Sequence, residues 1–319
     1  MQLAVKLLLF ALVGIALFAA ATAFFARRHE ARANASFPPH GQLIEVDGVE
    51  VHAVVSGQGP DVVLIHGSSG NARDMTFRLA PLLAEKYRVI AFDRPGLGFT
   101  ERVNDSGATI TQQAELLSRA AVLLGAERPV VVGHSYGGAV ALAWAVNQPD
   151  RVSALVPLAA ASNPWTTPLD TLYQVTSHPV GSTLVVPMLT AFVPDGYVET
   201  AVARAFDPQS VPEGYSGHFG PALTLRRVSL RANAMQRANL LDEIEALHTR
   251  YGEIAVPTEI VHGDADDTVA LSLHSANLAN QIPGANLTVL PGIGHMLHHA
   301  VPEEIVQAVD RAAARAGLR

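Results

Sequence analysis

Three residues, widely spaced in the chain, have the side-chain types and local contexts for nucleophilic catalysis: Ser135, Asp266 and His295. A serine hydroxyl is a poor nucleophile in water. It becomes effective beside an imidazole base whose tautomer a carboxylate holds. Ser135 lies in Val132-Gly133-His134-Ser135-Tyr136-Gly137-Gly138, after the β-branched run Pro129-Val130-Val131-Val132 and before a helical run over residues 139–146. A strand, a sharp turn and a helix would lift the serine oxygen out of a sheet, beside the positive end of the helix. Glycine at 133 and 137 suits such a turn, because side chains there would collide with the adjoining strand and helix. The bare Gly-x-Ser-x-Gly pattern occurs by chance in many chains; its flanks give it weight. The chemistry implied is attack of Ser135 on an acyl carbonyl, with His295 taking the proton and returning it to the leaving group. Asp266 would hold the imidazole and stabilise the imidazolium.

Each of these residues needs an element to place it. Pro257-Thr258-Glu259-Ile260-Val261-His262 reads as a buried strand leading into Gly263-Asp264-Ala265-Asp266-Asp267. Ala285-Asn286-Leu287-Thr288-Val289-Leu290 reads as another, leading into Pro291-Gly292-Ile293-Gly294-His295. Both candidates therefore follow the carboxyl end of a strand, where an open parallel sheet builds its sites. Asp47-Gly48 between two alternating runs, 43–46 and 49–55, is a hairpin signal. From Pro60 onward, apolar strands alternate with helical segments such as 114–124 and 139–147, which argues for an α/β fold with helices on both faces of a mostly parallel sheet. The alternation breaks near Ala161, and no strand pattern resumes until Val256.

Four blocks in this order resemble the α/β-hydrolase family. They are Val62-Val63-Leu64-Ile65-His66-Gly67-Ser68-Ser69-Gly70, the stretch Asp93-Arg94-Pro95-Gly96-Leu97-Gly98-Phe99-Thr100 (Thr where Ser is usual), the turn at Ser135, and the Gly263-x-x-Asp266 and Gly292-x-Gly294-His295 pair. The resemblance runs from about residue 43 to the end. It implies an α/β-hydrolase core over 43–160 and 241–319, with a helical cap inserted at 161–240. It selects Asp266 over Asp264 and Asp267, and it implies an oxyanion hole made by the backbone N–H groups of Ser68 and Tyr136. It requires neither metal nor organic cofactor. His298 and His299, close to His295, raise a metal site as an alternative, but no carboxylate is suitably spaced for it. His66 is expected to brace its loop, His134 to pack, and Asp93 and Arg94 to fix loops by hydrogen bonds.

The cap segment is apolar. Trp165, Met188, Phe192 and Phe219 are its candidates for the substrate pocket, and they favour an acyl or aromatic substrate over a sugar or phosphate. Arg226, Arg227 and Arg231 are expected on a solvated helix face, with an anion contact as the alternative. An aspartate nucleophile, as in haloalkane dehalogenases and epoxide hydrolases, is excluded by Ser135. The same triad serves carbon–carbon bond hydrolases, perhydrolases and acyltransferases, and a non-catalytic ligand-binding homologue is the alternative from another class. The principal reading is a serine hydrolase of carboxylic esters, including acyl-lipid or monoacylglycerol-like substrates.

The chain has 319 residues, 49% of them hydrophobic, a formal net charge of −7 and no cysteine. Its length suffices for one large core, its acidity gives no reason to expect nucleic acid, and thiolate and disulfide chemistry are excluded. Residues 7–25 carry no charge and are followed by Arg27, Arg28 and Arg32. As a helix this run would be roughly 28 Å long, close to the hydrocarbon thickness of a bilayer. A membrane anchor over residues 1–26 is therefore expected. A cleaved signal peptide with Ala21-Thr22-Ala23 as its site, leaving a secreted or periplasmic protein, is the alternative; the run exceeds the apolar region of about 7–15 residues usual for such peptides. Lys6 and the amino terminus against three arginines favour the catalytic domain on the cytoplasmic side. Residues 27–42, ending in Phe37-Pro38-Pro39-His40-Gly41, read as a polar linker without helical periodicity.

Overall fold

A computed structural model describes residues 2–318. Its strands are β1 (Gln42–Val46), β2 (Val49–Ser56), β3 (Asp61–Ile65), β4 (Arg88–Phe92), β5 (Val130–His134), β6 (Ala154–Leu158), β7 (Glu259–Gly263) and β8 (Asn286–Leu290). They form one sheet in the order β1-β2-β4-β3-β5-β6-β7-β8. The hairpin turns at Asp47-Gly48, pairing Val46 with Val49, and β2 lies antiparallel to β4. From β4 to β8 every neighbour is parallel. All residues of β5, β6 and β7 are buried. Strands covered on both faces read as continuous apolar runs, which is why these were visible in the sequence.

The helices are α1 (Gln2–Ser36), α2 (Ala72–Phe77), α3 (Leu79–Leu83), α4 (Ile110–Leu123), α5 (Tyr136–Asn147), α6 (Thr171–Ser177), α7 (Pro179–Phe192), α8 (Asp195–Ala205), α9 (Tyr215–Phe219), α10 (Arg227–Leu247), α11 (Ser275–Gln281), α12 (Leu297–Ala300) and α13 (Pro302–Arg315). Leu117 of α4, Trp144 of α5 and Leu278 of α11 pack into the core on one face of the sheet. Met75, Leu79 and α13's Ile305, Ala308, Val309 and Ala312 fill the other. Helices α6–α10 occupy the insertion between β6 and β7. Helix α10 runs unbroken through residue 240, so the expected boundary there falls inside an element and not at a linker.

The expected linker over 27–42 is corrected by α1, a single helix about 50 Å long that ends only at Ser36. Ala26, His29 and Ala33 recur at helical spacing and are buried, whereas Arg27, Arg28 and Arg32 are exposed. The good helix formers Ala, Arg and Glu sustain the helix, and Pro38-Pro39 follows its end. The stripe is built from small residues and one histidine, so it lacks the large apolar side chains that would mark it in sequence. It docks onto the cap. His29 Nε2 donates to Ala222 O (3.1 Å), and Glu30 accepts from Arg227 Nε (2.8 Å) and Nη2 (2.6 Å).

Candidate active site

Ser135 stands between β5 and α5 with φ 53° and ψ −117°, a conformation an L-residue adopts only under constraint. The constraints are close. A Cβ at Gly133 would lie 2.2 Å from Gly137 O, and one at Gly137 would lie 2.3 Å from Ile65 O, so both positions must remain glycine. Ser135 N donates to Leu158 O at the end of β6 (2.9 Å), fastening the turn to the next strand.

Asp266 and His295, 29 residues apart, meet beyond the ends of β7 and β8. His295 Nδ1 donates to Asp266 Oδ2 at 2.7 Å. That bond leaves Nε2 as the nitrogen available to a serine hydroxyl. Asp266 Oδ1 accepts from the backbone N–H groups of Thr268 and Val269, both at 2.9 Å. Oδ2 also accepts from His262 Nε2 at 3.1 Å, while Ser275 Oγ donates to His262 Nδ1 at 2.6 Å. Burial pushes the Asp266 carboxyl up, but hydrogen bonds from His262 and His295 outweigh it and hold the group well below the usual carboxylate range. It is an anion, and its Oδ2 fixes the orientation of the His295 ring.

Ser135 and His295 line one cavity of about 780 Å³, together with Ser68 of the His-Gly loop. Tyr136 is the first residue of α5, so its N–H has no partner within the helix. The His-Gly loop is held from two sides. Arg94, fully buried, donates from Nε to His66 O, from Nη2 to Gly67 O and from its backbone N to His66 Nε2, each at 3.0 Å. Burial lowers His66 to about 4, which keeps it a neutral acceptor, and it braces its loop as expected. From the cap, Asn233 of α10 accepts from Ser69 N (2.8 Å) and donates to Ser69 Oγ (2.9 Å). Asp93 likewise ties loops, accepting from Ala72 N (2.6 Å) and Phe99 N (2.8 Å).

Of the four apolar pocket candidates, Phe192 and Phe219 line the cavity, with Tyr197, Val202 and Tyr215 among their neighbours. Trp165 and Met188 do not. Trp165 packs against the sheet core with its ring 6.0 Å from His274, and Met188 is exposed on α7. Hydrophobicity alone cannot say which face of a helix turns inward. The arginines also depart from a solvated face. Arg226 is buried, donating to Asn34 Oδ1 (3.0 Å) and Gly98 O; Arg227 pairs with Glu30; Arg231 reaches Ser182 O (3.3 Å).

His298 and His299 do meet a carboxylate, one that spacing could not reveal. Asp74 of α2 accepts from His298 Nε2 (3.2 Å), His299 Nε2 (2.8 Å) and Tyr215 Oη (2.7 Å). The ligand atoms of Asp74, His298 and His299 lie within 4.8 Å of one another, close enough for a metal, and each imidazole is already hydrogen-bonded to the carboxylate. His134 is more than packing: its ring lies 4.7 Å from His295 and 4.4 Å from His298, and its Nε2 donates to His295 O (3.0 Å). Sequence reasoning missed His262, Asn233, Asp74 and Tyr215 as supports. His262 had a signal, since it is the penultimate residue of β7, four residues before Asp266. Asn233 and Asp74 act across more than 140 residues and had none.

A family model described as the alpha/beta hydrolase family matches residues 62–308. An uncharacterized protein of Mycobacterium tuberculosis is 28% identical over 296 residues, covering 86% of this chain and 81% of its own length. A 2-hydroxymuconate semialdehyde hydrolase of Pseudomonas putida is 27% identical over 289 residues, covering 88% and 96%. Among solved structures, a bacterial membrane phospholipase A superposes with a TM-score of 0.66 at 20% identity, covering 99% of this chain and 98% of that one.

Proposed function

We propose, from the premise that this chain belongs to the α/β hydrolase family, that it is a serine hydrolase cleaving carboxylic esters, tethered to a membrane by α1. The observation that carries the reading is the Asp266–His295 hydrogen bond set behind a strained Ser135 in one apolar cavity. Ser135 Oγ attacks the ester carbonyl as His295 Nε2 takes its proton. The tetrahedral oxyanion is held by the Ser68 and Tyr136 N–H groups, each such donor being worth about 3–4 kcal/mol. Collapse expels the alcohol, which takes the proton from His295. Water, deprotonated by the same imidazole, then releases the acid and restores Ser135.

An acyl-lipid substrate fits the apolar cavity, and the likeness to a membrane phospholipase A over 99% of this chain supports it. The anchor reading is favoured over a cleaved signal because Phe18, ahead of Ala21-Thr22-Ala23, stacks on Phe192 of the cap at 6.1 Å. A second reading, carbon–carbon bond hydrolysis on the same triad, draws on the similarity to 2-hydroxymuconate semialdehyde hydrolase. The test is turnover of a p-nitrophenyl ester series with fluorophosphonate labelling. Ser135→Ala is expected to abolish labelling and lower kcat by about 10⁴-fold or more. Ester turnover indifferent to Ser135→Ala would overturn the proposal.

A further inference from the structure

Helix α7 carries its amphipathicity inside out. Its buried residues are Gly181, Val186 and Thr190, small or polar in two cases of three. Val180, Leu184, Met188 and Phe192 recur every fourth residue and so form one ridge, and all four are exposed, Leu184 at 61%. A solvent-facing helix normally presents charge there. Leu172 and Val175 on α6 and Tyr197 on α8 extend the exposed apolar surface.

Two observations say what covers this face. The first is continuity with α1. Phe192, at the end of the ridge, meets Phe18 and Phe25 of α1, in both cases with ring centroids 6.1 Å apart. Phe18 and Phe25 belong to the apolar end of a helix long enough to cross a membrane, none of whose apolar window is buried in the protein. The exposed Arg27 and Arg28 follow at once, at the level where basic residues meet lipid headgroups. The ridge therefore begins at the depth of the last apolar turns of α1, inside the arginine level. The second is the cavity itself. Leu172, Phe192 and Tyr197 line it and are also exposed, so its rim lies on the same apolar face.

We propose that the α7 ridge is a membrane-docking surface: it inserts into the bilayer leaflet beside α1, and an acyl-ester lipid passes from that leaflet directly into the cavity at Ser135. The proposal rests on the anchor and hydrolase readings above and adds to them the orientation of the cap.

The chain has no cysteine, so single labels are clean. The full-length protein carrying Leu184→Cys or Leu123→Cys is labelled with bimane and reconstituted into phosphatidylcholine–phosphatidylglycerol vesicles. Leu123, 61% exposed on α4 of the core, is the aqueous control. The label at 184 is expected to shift to the blue and to be quenched by spin-labelled lipid, and that at 123 only by iodide. In the unlabelled enzyme, Val180→Glu with Leu184→Glu is expected to slow hydrolysis of vesicle phospholipid by about tenfold or more, from the lost burial of two aliphatic side chains. Its turnover of p-nitrophenyl acetate should stay within about twofold of the parent, since neither residue lines the cavity. Iodide quenching at 184 equal to that at 123 overturns the proposal. So does protection at 184 that depends on protein concentration and not on lipid, which would assign the face to a second copy. Flotation of the full chain with vesicles reports the anchor separately, and p-nitrophenyl acetate turnover lost in Ser135→Ala reports the hydrolase reading separately.

Discussion

At the residue scale, the site is a matter of which hydrogen bonds remain open. Asp266 receives four: two from backbone N–H groups, one from His262 and one from His295. Its charge is thereby fixed, and the orientation of His295 with it. In Asp266→Asn the amide NH₂ and oxygen differ, so the imidazole can settle in the wrong tautomer. A fall in kcat of about 10⁴-fold with little change in KM is expected. Steady-state kinetics on a soluble ester check it, and kcat within tenfold of the parent would remove Asp266 from the proposed role. The strand, the turn at Ser135 and its two glycines were legible in the sequence because the elbow is a local structure. His262, Asn233 and Asp74 were not, since each acts through a partner set by tertiary packing.

At the element scale, the contact between α1 and the cap separates this chain from a core with a flexible tether. Glu30 is the hinge pin of that contact. Burial raises its carboxyl, but hydrogen bonds from Arg227 outweigh this and hold it below the ordinary value. The pair is bidentate, with Glu30 and Arg227 side chains only 21% and 28% exposed. Charge-assisted fork geometry of this kind contributes more than a single surface ion pair. Glu30→Ala is expected to lower the unfolding free energy by about 1–2 kcal/mol. Urea denaturation of the full chain in detergent measures it, and an unchanged midpoint would show that α1 docks without this pair. The helix was invisible in the sequence beyond residue 26 because its inner stripe is alanine and histidine, not leucine.

At the scale of the whole molecule, buried histidines set the acid limit. Burial holds His66, His274 and His299 at about 4, against about 6.5 in an unfolded chain. Between those values the unfolded state binds more protons, so stability rises with pH across that window. The contribution is fully present above about 6.5 and is lost as pH falls toward 4. His52 opposes this: burial lowers it, but its hydrogen bond to Asp93 prevails and raises it, so its contribution is lost as pH rises. His134 and His218 are lowered as well, while the Glu243 carboxyl, pushed up to about 7 by burial, acts in the same sense as His52. Five lowered imidazoles against these two groups should make Tm fall between pH 6.5 and 4. Differential scanning calorimetry over that range checks it; a flat Tm would show that these rings are not held neutral.

Short-range backbone geometry and apolar periodicity are written into the order of the residues. They include the strand–turn–helix around Ser135, the Asp47-Gly48 hairpin, the parallel strands buried on both faces, the positions of the acid and histidine after β7 and β8, and the apolar run of α1. Tertiary structure alone decided which helix faces turn inward. It set Phe192 and Phe219 on the cavity while leaving Trp165 and Met188 off it, joined Asp74 to His298 and His299 across 224 and 225 residues, and clamped α1 to the cap through Arg227. The reason is physical. A turn is fixed by the few residues that form it, whereas the burial of a helix face depends on the surface that arrives from elsewhere in the chain.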